Sequence, residues 1–363
     1  MSTGPWPSSP VMHRTIAIVC GLLLMTAACP ARADAGDQSV VLPGTSRLTT
    51  KRPLVDVMVE GINRFCLREL AASPERRRRN WDRIFPTAEE SAKRSGKKRA
   101  AMRQRFGQLI GLVDRRLTSV PGHSIHFEFP GRGAQPLELA RGKESVVLAV
   151  RWKVLEGVTA EGLMIMPIMP RQPRACVVAI PDAAWTPEQF CGIEPGVPAS
   201  AQLPRRLAAA GCLVVVPLLI SRDDEFSGHP DVAYTNQTHR EFIYRQAFEM
   251  GRHVIGYEVQ KVLAAIDLLG GFDKDPAKKL PVGLVGIGEG GLLALYTSAL
   301  DPRVDSTLVC GYFDQREQLW REPICRNVFG ILVEFGDAEL AGMIAGRRLV
   351  IQPCRVPRVD GPP

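Results

Sequence analysis

The sequence predicts an α/β protein built on a mostly parallel sheet with helices on both faces. Three observations carry the prediction. Short apolar runs at Ala175–Ile180, Cys212–Ile220, Val282–Gly286, Ser306–Tyr312 and Leu349–Gln352 read as strands buried on both faces. Helical patterns separate most of them, at Ala199–Ala210, Arg240–Leu269 and Leu292–Leu300. Glycine marks the joints, with Gly211 and Gly270-Gly271 closing two of those helices.

Ahead of the parallel run the period is two. Ser124–Phe129 alternates, and Val146–Lys153 with Gly162–Pro167 reads as an antiparallel pair turning through Gly157. Earlier still, Pro53–Leu117 is helical. Apolar residues recur at three and four in Leu54, Val57, Met58, Ile62 and Phe65, and again in Met102, Phe106, Leu109, Ile110 and Val113. The stretch between, Glu75–Lys98, is charged and expected to be a solvated helix face.

The 363 residues are 45% hydrophobic and 6% aromatic, enough for one large core and an N-terminal extension. Met12–Ala28 has a short polar start, an apolar run Ile16–Met25 and then small residues, the pattern of a signal peptide and too short to span a bilayer. Ala31-Arg32-Ala33 supplies a cleavage site, giving a mature start near Asp34 and a secreted or periplasmic location. Lipidation at Cys29 is the alternative. The expected organisation is therefore a signal peptide over 1–33, a polar and basic helical extension over 34–120, and the α/β domain over 121–363. No later segment is apolar for long enough to make a transmembrane helix.

The formal charge of +8 is concentrated in Arg76–Arg79 and in Lys93–Arg105. Nucleic acid is not the expected partner, because no aromatic residues interleave with these charges and an exported chain meets little of it. Seven cysteines follow the leader, without CxxC pairs or metal-ligand spacing; an odd number in an oxidising compartment allows a disulfide or two but requires none, and they are read as small hydrophobes.

Sites of such sheets lie at the carboxyl ends of the strands. There Val285-Gly286-Ile287-Gly288-Glu289-Gly290-Gly291 follows a strand and opens a helix. Small residues two places either side of a sharp turn let strand and helix approach closely, so the central residue projects from a strained corner. That central residue is Gly288. The motif lacks the GxGxxG spacing and following acid of a dinucleotide site, so no cofactor is implied.

With the Glu161-Gly162 hairpin, the strand ending Ile180-Pro181-Asp182, Met250–Gly256 and Ala265–Leu269, this elbow resembles the α/β-hydrolase superfamily, within it the acetyl xylan esterase and dienelactone-hydrolase-like branch. The resemblance implies a carboxylic-ester hydrolase acting on small esters, lactones or acylated carbohydrate through a Ser-His-Asp/Glu triad. It carries the nucleophile to Gly288, which has no side chain to attack with. It carries the oxyanion donors to the backbone N–H of Glu289 and to a group near Ala183 or Ala184, both of which survive loss of a side chain. Every histidine precedes the elbow, and the strands that carry acid and base late in this fold are not apparent after Gln352. The expectation is a weak or inactive esterase-like protein; the alternatives are a non-catalytic carbohydrate- or envelope-binding module and a truncated gene product.

Other candidates have plainer readings beside the functional one. Glu289 is a substitute carboxylate nucleophile one residue out of register, or an acid in the first turn of a helix. Asp182, Ala183, Ala184, Arg222, Arg245 and Arg252 are candidate substrate-binding residues. Arg245 and Arg252, seven apart on one helical segment, also suit a structural network, and Arg222–Glu225 suits a solvated loop. Ser298 and Ser306 are the nearest hydroxyls and sit in no elbow. No metal site is expected.

Overall fold

A computed structural model of the chain describes residues 43–46, 48–84, 88–118, 125–132, 135–168, 172–227, 237–270, 279–357 and 359. The signal-peptide reading, Cys29, His123, His229 and Asp360 lie outside them. The chain divides into two units, Met1–Met58 and Val59–Pro363. Of the first, the described part holds a turn at Pro43-Gly44 and the opening of a helix, where the Pro53 carbonyl accepts from Asp56 and Val57.

The second unit is built on an eight-stranded sheet. Its strands are β3 (Glu138–Arg141), β4 (Ser145–Leu155), β5 (Val158–Pro167), β6 (Ala175–Ile180), β7 (Cys212–Pro217), β8 (Val282–Ile287), β9 (Ser306–Cys310) and β10 (Arg348–Gln352). Their spatial order is β10-β9-β8-β6-β7-β5-β4-β3. Strands β7, β6, β8, β9 and β10 run parallel, and β5, β4 and β3 add to them as antiparallel neighbours. Two-residue strands β1 (Gly131–Arg132) and β2 (Gln135–Pro136) form a separate ribbon. The alternating segment before them contributes one bridge, Glu128 to Arg151.

Chain order reverses at β6: the next strand, β7, lies on one side of it and β8 on the other. Ligand sites of open α/β sheets lie outside the strand ends at such a switch point. It sets Asp182, two residues past β6, beside Gly288, the residue after β8, since Ile180 pairs with Gly286.

The helices are α1 (Leu54–Ile84), α2 (Ala88–Leu109), α3 (Pro187–Cys191), α4 (Leu203–Ala209), α5 (His239–Phe248), α6 (Val254–Leu269), α7 (Glu289–Leu300), α8 (Ile331–Glu334) and α9 (Asp337–Ile344). The pattern over Arg240–Leu269 predicts one helix, and the structure has two. The chain breaks at Gly251, φ +66°, and restarts with His253 as N-cap, its side chain accepting from the Ile255 N–H. Apolar residues continue across the break, so periodicity alone does not register it.

Helices α6 and α7 are the buried ones. Every residue of α7 from Glu289 to Ala299 is buried, which a central helix under a parallel sheet requires. The basic extension joins the same core. Phe106 of α2 and Ile110 just beyond its end are fully buried, with the Phe106 ring 5.1 Å from Tyr296 and 5.2 Å from Phe335. Apolar positions early in α1, Leu54, Met58, Ile62 and Phe65, are instead exposed. No helix among the described residues is long and apolar enough to cross a membrane.

The run Arg76–Arg79 reads as solvated, and one member of it is not. Arg77 is buried, donating to Glu317 at 2.7 Å, Glu339 at 3.2 Å and the Leu332 carbonyl at 2.8 Å. It ties α1 to the segment between β9 and β10. Removing one partner of a buried ion pair leaves the others uncompensated, so Arg77→Ala is expected to cost about 3–5 kcal/mol in urea unfolding. Arg78→Ala, one residue on and exposed, is expected to leave the midpoint unchanged.

Candidate functional site

The elbow closes because two glycines have no side chain. A β-carbon at Gly286 would collide with the Gly290 carbonyl, and one at Gly290 with the Ile180 carbonyl. Strand β8, helix α7 and the end of β6 therefore touch through backbone alone. Gly288 sits at the corner with φ +58° and ψ −117°, outside the usual regions for a residue with a side chain, and its N–H donates to the Cys310 carbonyl at 2.9 Å.

The space in front of Gly288 is filled. A β-carbon there would collide with Oδ2 of Asp182, a fully buried residue. The same Oδ2 accepts the Glu289 N–H at 2.9 Å, while Oδ1 accepts the Ala184 N–H at 2.9 Å. The Arg222 guanidinium donates to both oxygens, at 3.2 Å to Oδ2 and through its other nitrogen to Oδ1. The backbone N–H groups that the resemblance assigns to oxyanion stabilisation thus converge on a carboxylate of the chain itself. Two amides and a cationic fork are what such an anion needs in order to be buried.

Glu289 faces away from solvent into three arginines. Oε1 accepts from Arg240 at 3.0 Å; Oε2 accepts from Arg222 at 3.2 Å and from Arg326 at 2.6 and 3.0 Å. Arg240 is fully buried and continues to Glu258 at 2.9 Å, whose other oxygen accepts the Ile220 N–H at 2.8 Å. Arg326 continues to Glu322 at 2.8 Å. Burial pushes the Glu289 carboxyl up, but Arg240, Arg326 and Arg222 together outweigh it and hold it at about 2. A carboxylate pinned by three cations is a poor nucleophile, because its lone pairs are engaged and its charge is the stabilised form.

Next to this cluster, Asp337 accepts from Arg316 at 2.8 Å and from the Asp314 N–H at 3.0 Å. Its other oxygen is buried without a partner, and burial raises its carboxyl despite Arg316. Arg316 also lies 3.9 Å over the Tyr312 ring. A cavity of about 570 Å³ opens above the elbow, with Asp182, Gly288, Tyr312, Arg316, Arg326 and Cys354 in its wall.

None of the described histidines stands as a base at Gly288. His239 Nδ1 is 2.9 Å from Ser221 Oγ, which has the form of a serine-histidine dyad. Its Nε2, however, accepts the Phe226 N–H at 3.0 Å, so the proton of the neutral ring is on Nδ1 and is donated to the serine. That tautomer cannot take the serine's proton. His253 is fixed in the opposite way, Nδ1 accepting from Ile255 at 3.1 Å and Nε2–H donating to the Asn327 carbonyl at 3.0 Å.

Of the residues singled out from the sequence, Gly288, Glu289, Asp182, Ala184 and Arg222 come together, with Ala183 buried beside them. Arg222 is turned into the elbow rather than solvated. Arg245 pairs with Glu241 at 2.7 Å on an exposed face, and Arg252 pairs with Asp114 at 2.7 Å, so neither reaches the elbow. Ser298 bonds to Thr307 in the core. Arg326, Arg316, Glu322 and Asp337 were not singled out; they come from the segment between β9 and β10, which has short helical turns and no periodic signal. Among the described residues no His/Cys/Asp/Glu group could hold a metal ion.

No protein-family model matches the sequence, and no curated protein matches it either. Among solved structures, a protein designated an acetyl xylan esterase from Bacteroides fragilis aligns with a TM-score of 0.50 at 11% identity, covering 70% of this chain and 67% of that one. A methylesterase aligns at 0.48 and 13% identity, covering 77% of this chain and 55% of its own. A glucuronoyl esterase from Solibacter usitatus aligns at 0.43 and 14% identity, covering 73% and 74%. The first of these, at a TM-score of 0.50 and 11% identity, is a likeness of fold: the chain has the α/β-hydrolase fold.

Two measurements follow from the buried cluster. Glu289→Gln leaves Arg240 and Arg326 facing a neutral amide and is expected to lower stability by about 3–5 kcal/mol. For His253, burial holds the ring at about 4, below the ordinary 6.5. The native state then binds fewer protons than the unfolded state between these values, so stability present above pH 6.5 is lost as pH falls toward 4, by about 3 kcal/mol. His253→Asn keeps a helix-capping acceptor and is expected to flatten that part of the urea-midpoint profile.

Proposed function

We propose that this chain is an exported α/β-hydrolase-fold protein that has lost serine ester hydrolysis and acts by binding rather than turnover. The observation that carries the reading is the Asp182 carboxylate, which stands where a nucleophile's side chain would project and takes up the N–H groups of Glu289 and Ala184. The cavity above the elbow remains open and is lined by cationic, acidic and aromatic groups, as sites for polar ligands are. The ligand class is a small ester, lactone or acylated carbohydrate, the class the fold's carboxylic-ester hydrolases handle. Export rests on the leader over residues 1–33, with cleavage before Asp34 and lipidation at Cys29 as the alternative.

Hydrolysis of p-nitrophenyl acetate by the purified chain tests the loss of chemistry. The expected result is no turnover sensitive to a serine-directed phosphonate in the wild type, and none in Gly288→Ser, because Asp182 occupies the space the new hydroxyl needs. Phosphonate-sensitive turnover contradicts the reading; turnover lost in Glu289→Gln while that variant stays folded assigns the chemistry to a carboxylate. Calorimetry with an acetylated xylo-oligosaccharide is expected to show saturable binding without acetate release. Mass analysis of the mature N-terminus decides between a start at Asp34 and a lipid on Cys29.

A further inference from the structure

The sequence reading treats the cysteines as small hydrophobes, and for most of them burial agrees. Two stand apart. Cys310 ends β9, and its carbonyl accepts the N–H of Gly288, so it belongs to the frame of the elbow. Strand β10 pairs alongside with Gln352 opposite Cys310, and the Gly311 N–H donates to the Gln352 carbonyl at 3.0 Å. Beyond Gln352 the chain leaves the sheet and folds back over Gly311. A β-carbon at Gly311 would lie 3.1 Å from the Cys354 sulfur and would collide with Val356. Gly311 adopts φ +66°, and its missing side chain is what lets this strap close. Val356 packs into the small cluster that contains Cys310, so the strap is seated on the cysteine's own neighbours.

We propose that Cys310 and Cys354 are a disulfide-forming pair that fastens the strap Pro353–Pro357 over the elbow. Both are free thiols in this structure, Cys354 exposed and Cys310 buried, and each thiol is a direct neighbour of the other. The asymmetry sets the order of events. The exposed Cys354 thiolate attacks an external disulfide such as oxidised glutathione, forming a mixed disulfide and releasing one glutathione thiol. The Cys310 thiolate then attacks the Cys354 sulfur and releases the second. Two protein thiols lose two protons and two electrons, and one glutathione disulfide becomes two glutathione thiols. Burial raises both thiols, Cys310 up to about 11 with Cys354 adding to it; Cys354 is the first to react because it is the exposed one, and Cys310 resolves.

The pair has a consequence for the cavity, since Cys354, Val356 and Pro357 form part of its wall. Fastened, the strap holds that wall against Gly311; reduced, it rests on non-covalent contacts such as Val356 in the cluster around Cys310. The proposal concerns this wall and does not depend on whether the elbow catalyses anything.

The test is a tryptic map of the full chain after incubation with oxidised glutathione, without reduction. The expected product joins the peptide 304–316 to the peptide 349–355 at a mass two hydrogens below their sum. Cys66, exposed on α1, serves as internal reference and carries a single glutathione adduct. The linked protein melts a few degrees above the reduced one, and that difference disappears in Cys354→Ser, an exposed substitution that leaves the core untouched. The proposal is overturned if Cys66 is modified while Cys354 ends as a stable glutathione adduct with Cys310 still free. It is equally overturned if neither cysteine reacts, or if either is found linked elsewhere.

Discussion

The arrangement at the elbow depends on one carboxylate. Asp182 closes β6, and through its two oxygens it joins the N-terminus of α7, the loop after β6 and the Arg222 loop after β7. A permanent anion fills the volume in front of Gly288, and these donors are satisfied by it. The positive end of a buried helix and two unpaired amides have a strong demand for negative charge, and the chain meets it internally.

From that anion the remaining charges follow in turn. Arg222 neutralises Asp182 and reaches Glu289; Glu289 requires Arg240 and Arg326; Arg240 requires Glu258, and Arg326 requires Glu322. Each ion is stable in the interior because its neighbour is present. Such networks contribute less to stability than their number of contacts implies, but losing any single member is costly. The result is a charge-matched floor beneath an open cavity.

Much of the architecture was legible because parallel strands are continuous apolar runs and the elbow demands small residues at fixed places. Gly286 and Gly290 could be assigned their roles from spacing, and the collisions that β-carbons would cause there supply the reason. The occupant of the space before Gly288 was not legible. Asp182 was a candidate from its place after β6, but nothing local says that its side chain turns toward a glycine 106 residues later. Arg326, Glu322 and Asp337 were missed for a related reason: short helical turns carry no long periodic pattern, and although Glu322 pairs with Arg326 four residues on, Arg326's bond to Glu289 and Asp337's to Arg316 join segments well apart in sequence. Arg77 shows the same limit from the other side, since a run of arginines reads as solvated whichever of them is buried. The break before α6 was hidden because its flanks are apolar on both sides.

The most direct measurement of the account is thermal denaturation of Asp182→Ala with added formate or acetate. If a carboxylate bound by the Glu289 and Ala184 amides and by Arg222 organises the elbow, the variant melts well below the wild type. It then recovers part of the loss saturably with formate or acetate and not with equal concentrations of chloride, while the wild type, already filled, does not respond. A variant as stable as the wild type, or one whose recovery is the same with every salt, would contradict the claim that this internal anion holds the elbow.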